Sequence, residues 1–158
     1  MLHDKLFLAL LGASSAHADA SRAEFARLGL TEAQPKVLYI LNRTSGVVQK
    51  ELAELCNIRP STLTVMLAKM EKQNYIYKEI CYVSGKKRAY KIHLTEKGKE
   101  KAGQLEYIVE KLENKGFEGF TEEEKHTILN LLSRIEENMC KFWYTALTNL
   151  DQNDIIDY

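Results

Sequence analysis

Ser61, Thr62, Thr64, Val65, Lys69 and Lys72 stand within one short stretch, directly after Arg59, and Lys86, Lys87 and Arg88 form a second group soon afterwards. Hydroxyls and cations at this density donate hydrogen bonds and neutralise negative charge. The residue types needed for metal binding or catalysis are scattered. His3, His17, His93 and His126 show no HxxxH spacing, and Cys56, Cys81 and Cys140 include no CxxC pair. An intrachain metal site is therefore not expected. No glycine loop could cradle a phosphate, since Gly85 and Gly98 read as turn and helix-start residues. No nucleophile sits beside an oriented base. The sequence predicts no catalytic residue, no metal, no cofactor and no enzymatic activity.

The 158 residues carry 22 Lys and Arg against 22 Asp and Glu, but the balance is uneven along the chain. From Lys36 to Lys101 there are 14 basic and 6 acidic residues, a net of +8, and the remainder is −8. A basic centre between acidic ends suits a nucleic-acid contact face attached to another module. Three cysteines cannot all pair within the chain, so a reducing, cytoplasmic setting is expected. No apolar run reaches the roughly 20 residues of a membrane span. Leu6–Ala13 has the look of a signal h-region but lacks a basic n-region, and it continues at helical spacing into charged residues.

The elements that must position these groups are mostly helical. Asp4–Leu28 reads as a helix whose apolar face (Leu8, Leu11, Ala18, Phe25) is intermittent. Gly29 marks a stop, and Thr31-Glu32 a new start for a short helix carrying Val37, Leu38 and Leu41. Asn42–Gly46 ends it, and Gln49–Cys56 follows with Leu52, Ala53 and Cys56 on one face. Pro60 opens the next helix at the position where its missing N–H costs nothing. Its stripe Leu63, Met66, Leu67, Met70 has i, i+3, i+4, i+7 spacing, which leaves Ser61, Val65, Ala68 and Lys72 facing outwards beside Thr62, Thr64 and Lys69.

After Asn74 the period changes to two. Tyr75–Val83 and Arg88–Leu94 read as a hairpin around Ser84-Gly85-Lys86-Lys87, with the basic group at its tip. If Val83 pairs with Arg88, His93 falls across from Lys78 and away from Cys81. Thr95 caps a long helix starting near Glu96 and fading around Lys115-Gly116. Thr121 and Glu124 form a capping box for a last helix, Glu122–Leu150. Its stripe Ile128, Leu131, Leu132, Ile135, Met139, Phe142, Ala146 exceeds what one small domain needs. Cys56 and Cys140 fall on apolar helical faces, which predicts buried, inert thiols.

Short helices followed by a β-hairpin, set between long outer helices, give a mainly α (α+β) class with a winged helix-turn-helix core. The chain resembles the MarR family of dimeric bacterial transcription regulators. The resemblance is carried by Leu28-Gly-Leu-Thr-Glu-Ala-Gln34, Glu51-Leu-Ala-Glu54, Ser61-Thr-Leu-Thr64 leading to Met70-Glu71, and Leu94-Thr-Glu-Lys-Gly98 after the wing. It covers nearly all of residues 1–158. It implies a DNA-binding region over 32–95 and dimerisation helices over 4–28 and 96–150.

The resemblance implies that Pro60–Gln73 is the recognition helix, with Ser61, Thr62 and Thr64 at positions that contact phosphates or base edges. Ser61 could equally be a first-turn helix stabiliser. Val65 stands where relatives often carry arginine, and it could meet a thymine methyl instead. Arg88 matches the arginine of the family's Asp-x-Arg wing pattern, which reaches the minor groove. Lys86 replaces the aspartate, so the acidic partner that orients the arginine is missing, and Val48 replaces a frequent Ser or Thr cap.

The partners implied are a second copy of the chain, with Phe142, Trp143 and Tyr144 ending its apolar stripe, and a near-palindromic duplex. The resemblance also implies an effector pocket for a small molecule. Phe25, Tyr39 and Tyr107 are its candidate lining, although aromatic residues at helical spacing also serve as plain core. The expected function is a homodimeric, sequence-specific repressor released by a small-molecule or oxidative signal. The alternative is a winged-helix protein-interaction scaffold without specific DNA binding.

Overall fold

The computed structural model describes residues 5–31 and 33–153, with side chains as far as Phe142. His3, Asp4 and Glu32 lie outside the described residues, as do the side chains of Trp143, Tyr144, Ala146 and Leu150. In chain order the elements are α1 (Leu6–Arg27), α2 (Gln34–Asn42), β1 (Val47–Val48), α3 (Gln49–Cys56), α4 (Pro60–Lys72), β2 (Ile76–Val83), β3 (Lys87–Leu94), α5 (Glu96–Gly116) and α6 (Glu122–Asn153). They form two compact units, Met1–Gly116 and Phe117–Tyr158.

The first unit is built around one apolar core. Val37 and Leu38 of α2, Leu52 of α3, Leu63, Leu67 and Met70 of α4, Ile92 of β3 and Leu105 of α5 are all fully buried. The stripe on α4 is the one that its spacing predicts, and it leaves the opposite face uncovered. Asn57, at φ 50° in the left-handed region, ends α3 and sets the tight turn into Pro60. Only the end of α1 meets the core: Ser21 is buried and Phe25 and the C-cap Leu28 pack against the apolar cluster, while Leu6, Phe7, Leu8 and Leu11 are exposed.

The sheet has strand order β1-β3-β2, all antiparallel. Val83 pairs with Lys87, not Arg88, so the loop is three residues long and the register moves by one: His93 stands opposite Tyr77, not Lys78. Left-handed conformations at Ser84 (φ 51°) and Gly85 (φ 76°) make that shorter turn possible. At the other end, Thr95 fastens the hairpin to α5. Its hydroxyl donates to the Asn74 carbonyl at 2.6 Å and accepts from the Gly98 N–H at 3.0 Å. A Cβ at Gly98 would run into the Tyr75 carbonyl.

α6, in the second unit, begins with the expected capping box: the Glu124 carboxylate accepts from the Thr121 N–H at 2.8 Å, and Thr121 Oγ1 accepts from the Glu124 N–H at 3.2 Å. Leu129, Leu131, Leu132, Met139 and Phe142 are exposed. Cys140 is exposed as well, contrary to the burial predicted for it, while Cys56 is buried as predicted. Periodicity marks an apolar face but cannot say whether anything covers it. Among the described residues, no helix is long and apolar enough to cross a membrane.

Candidate nucleic-acid interface

The outward face of α4 carries Ser61, Thr62, Thr64, Val65 and Lys69, all exposed, with Arg59 before it and Lys72 at its last turn. Val65 is 73% exposed, a high value for an isopropyl group at the centre of a helix face. At the start of the helix Pro60 has no N–H to offer, and the Leu63 N–H donates to the Arg59 carbonyl at 3.0 Å. The N-terminal end of the helix dipole is thus presented together with the Ser61 and Thr62 hydroxyls, an arrangement that suits an anion.

Two of the candidate contacts are already engaged. The Thr64 hydroxyl donates to the Pro60 carbonyl at 2.9 Å and accepts from Gln49 Nε2 at 2.9 Å, so it ties the start of α3 to the first turn of α4. Lys69 Nζ donates to Thr31 Oγ1 at 3.1 Å, anchoring the far end of α4 to the turn before α2. Val48 precedes α3 with no side-chain cap bond, as its apolar side chain requires.

Lys86, Lys87 and Arg88 are exposed at the hairpin tip. The Arg88 guanidinium lies 5.6 Å from the centre of the Tyr90 ring and donates to the Tyr90 hydroxyl at 3.4 Å. Residues 88 and 90 project from the same face of β3, so the strand's two-residue period supplies an orienting neighbour where Lys86 cannot. Between this wing and the starts of α3 and α4 runs an open groove of about 730 Å³, lined by Gln49, Lys50, Pro60, Lys87, Arg88 and Tyr90 among others. Gln49 and Tyr90 were not foreseen from the sequence. The alternation of β3 could have pointed to Tyr90, but nothing in the sequence pairs Gln49 with Thr64.

A second cavity, about 310 Å³, lies between α1, α2 and α5. Phe25 and Tyr39 line it with His17, Pro35, Val109 and Leu112, and the Arg43 guanidinium sits 3.7 Å over the Tyr39 ring. Tyr107 does not line it. It is 71% exposed, because it projects about 200° around α5 from Leu105, which does. Burial pushes the Cys56 thiol above its usual pKa, with Lys36 pulling weakly the other way.

This arrangement defines a winged helix-turn-helix protein whose exposed helix face and wing are rich in donors. The MarR family model matches residues 30–88. An uncharacterized HTH-type transcriptional regulator, YybA of Bacillus subtilis (strain 168), is 33% identical over 123 residues, spanning 78% of this chain and 81% of that one. Similar solved structures include the transcriptional repressor CouR bound to a 23-mer DNA duplex (TM-score 0.74, 24% identity, 85% of this chain and 94% of that one). Another is NadR in complex with 4-hydroxyphenylacetate (TM-score 0.73, 20% identity, 84% and 93%). The chain belongs to the MarR family of transcription regulators.

Proposed function

We propose that this chain is a homodimeric, sequence-specific double-stranded DNA-binding repressor, released by a small-molecule or oxidative signal. The observation that carries the reading is the two-sidedness of α4. One face is buried in the core, and the other offers Ser61, Thr62, Val65 and Lys72 beside a basic wing. In this reading α4 enters the major groove, Ser61 and Thr62 hold phosphate or base edges, and Val65 meets a thymine methyl. Arg88 reaches the adjacent minor groove, and Arg59, Lys86 and Lys87 neutralise phosphates alongside. Thr64 and Lys69 act mainly by fixing the helix through the bonds they already make.

Residues 32–95 form the DNA-binding region, and 4–28 with 96–150 make the dimer. The exposed apolar side chains of α1 and of α6 support this, because an obligate interface is built like a divided core. Two recognition helices roughly 34–36 Å apart would then read a near-palindrome. The cavity bordered by Phe25 and Tyr39 is the effector site, a reading supported by the ligand-bound NadR; the exposed Tyr107 has no part in it. The deciding experiment is selection from random duplexes with the full chain. The expected result is an enriched near-palindrome; absence of any enriched sequence, with specific capture of a protein partner, would favour a protein-interaction scaffold instead.

A further inference from the structure

Gln34 belongs to a motif that the contacts proposed above leave unused, and it is the one large polar side chain buried in the described core, at 1% exposure. Its Oε1 accepts from the Thr31 N–H at 3.1 Å, and its Nε2 donates to Gln73 Oε1 at 2.9 Å. The orientation of the amide follows from chemistry: an N–H donor at Thr31 demands the oxygen there, which turns the nitrogen towards Gln73. Gln73 is the C-cap of α4, and its own carbonyl accepts from Lys97 Nζ at 2.9 Å. One helical turn earlier, Lys69 reaches Thr31. Lys69 in the last turn of α4 and its C-cap Gln73 are therefore tied to Thr31 in the turn before α2 and to Gln34 at its start.

The residues that follow Gln34 face elsewhere. Pro35, Lys36 and Tyr39 line the 310 Å³ cavity against His17 and Phe25 of α1 and Val109 of α5. Whatever fills that cavity bears on the first turn of α2, one residue from the amide that holds α4. We propose that Gln34 is a positioning residue that couples the cavity to the recognition helix through its hydrogen bond to Gln73. The functional consequence rests on the DNA-binding reading above, but the mechanical link does not. The Gln34 amide suits this task, because it is buried and displacing it from Gln73 leaves its donor without a protein acceptor, which favours discrete arrangements over gradual ones.

The test needs no ligand. Val109→Phe places a ring in the cavity, and Gln73→Ala cuts the link from its half-buried side, with circular dichroism and the melting transition of every variant checking that the fold is kept. Hydrogen exchange of the amides of residues 69–75 is followed in the full chain for the wild type, each single variant and the double variant. Affinity for the duplex selected by the wild type is measured on the same four proteins. The expected result is that Val109→Phe speeds exchange there at least about 3-fold and weakens DNA binding by a similar factor, and that Gln73→Ala abolishes both effects. Equal effects of Val109→Phe in both backgrounds, or none in either, would overturn the proposal. Gln34→Met repeats the cycle from the other side and must agree with it. Wild-type chain that binds no duplex would sink the DNA-binding reading alone, since the exchange cycle reports on the link by itself.

Discussion

Arg88→Ala separates the wing's contribution from that of the helix. The side chain is exposed and its only described contacts are to Tyr90, so its loss should change folding stability by no more than about 0.5 kcal/mol. Its loss from the DNA complex should be much larger. A charge-assisted hydrogen bond contributes about 1.5 kcal/mol at the low end. Two wings in the proposed dimer then give about 3 kcal/mol, or roughly two orders of magnitude in Kd. Each removed cation should also lower the slope of log K against log salt by about 0.9, and so by about 1.8 for the pair. Fluorescence anisotropy between about 50 and 200 mM salt measures both quantities. Duplexes with A·T-rich and G·C-rich flanks give the third readout, because a narrow minor groove favours the guanidinium. The wild type should prefer A·T-rich flanks and the variant should not. Arg88→Ala matching the wild type on every flank, with an unchanged salt slope, would refute the wing assignment. Tyr90→Ala should reproduce a small part of the loss, about 3-fold, by releasing the guanidinium from its ring.

Gly46→Ala should lower the melting temperature by about 10 °C: φ is +104° there and a Cβ would land in the His93 imidazole, which together cost about 3 kcal/mol. Calorimetry checks this, and an unchanged transition would mean that the loop does not sit on His93. Under native conditions an alkylating reagent should modify Cys56 far more slowly than in the unfolded chain, because its raised pKa lowers its thiolate fraction and its burial blocks access. Peptide mass mapping gives both rates, and equally fast labelling of Cys56 in the two states would contradict its place in the core. Removal of residues 141–158 should yield aggregates, or a monomer that binds half-sites weakly. Sedimentation tests it; a stable dimer after truncation would move the interface to α1 and α5.

How far the sequence could be read depended on whether a signal was local. Pro60 and the Leu63, Met66, Leu67, Met70 stripe locate α4 to within a residue at its end, because both a start and a buried face are encoded in neighbouring positions. The Thr121–Glu124 box does the same for α6. The Thr31-Glu32 start did not hold at α2: the Thr31 carbonyl and N–H pair with Gln34, and the helix itself begins only at Gln34. β1 has two residues and exists because β3 passes beside it, so no periodicity announces it. The wing register depended on a turn one residue shorter than the polar stretch suggested. In the candidate interface, residue types on α4 and at the hairpin tip were legible. The bonds that commit Thr64 and Lys69 to the scaffold were not, since their partners lie 15 and 38 residues away.

The proline that opens α4 has a consequence for how that surface can be dissected. With no N–H on Pro60 and the Leu63 N–H given to Arg59, the first turn keeps the main-chain amides of Ser61 and Thr62 as its donors without a helical acceptor. Those two residues therefore carry both the side-chain and the main-chain donors of the proposed phosphate contact. Alanine at either position removes the hydroxyl and leaves the amide, so protein mutagenesis reaches only half of the contact. The other half is accessible from the nucleic acid: replacing single phosphates by neutral methylphosphonates deletes the acceptor itself, and the backbone's share is whatever loss survives in the double alanine variant.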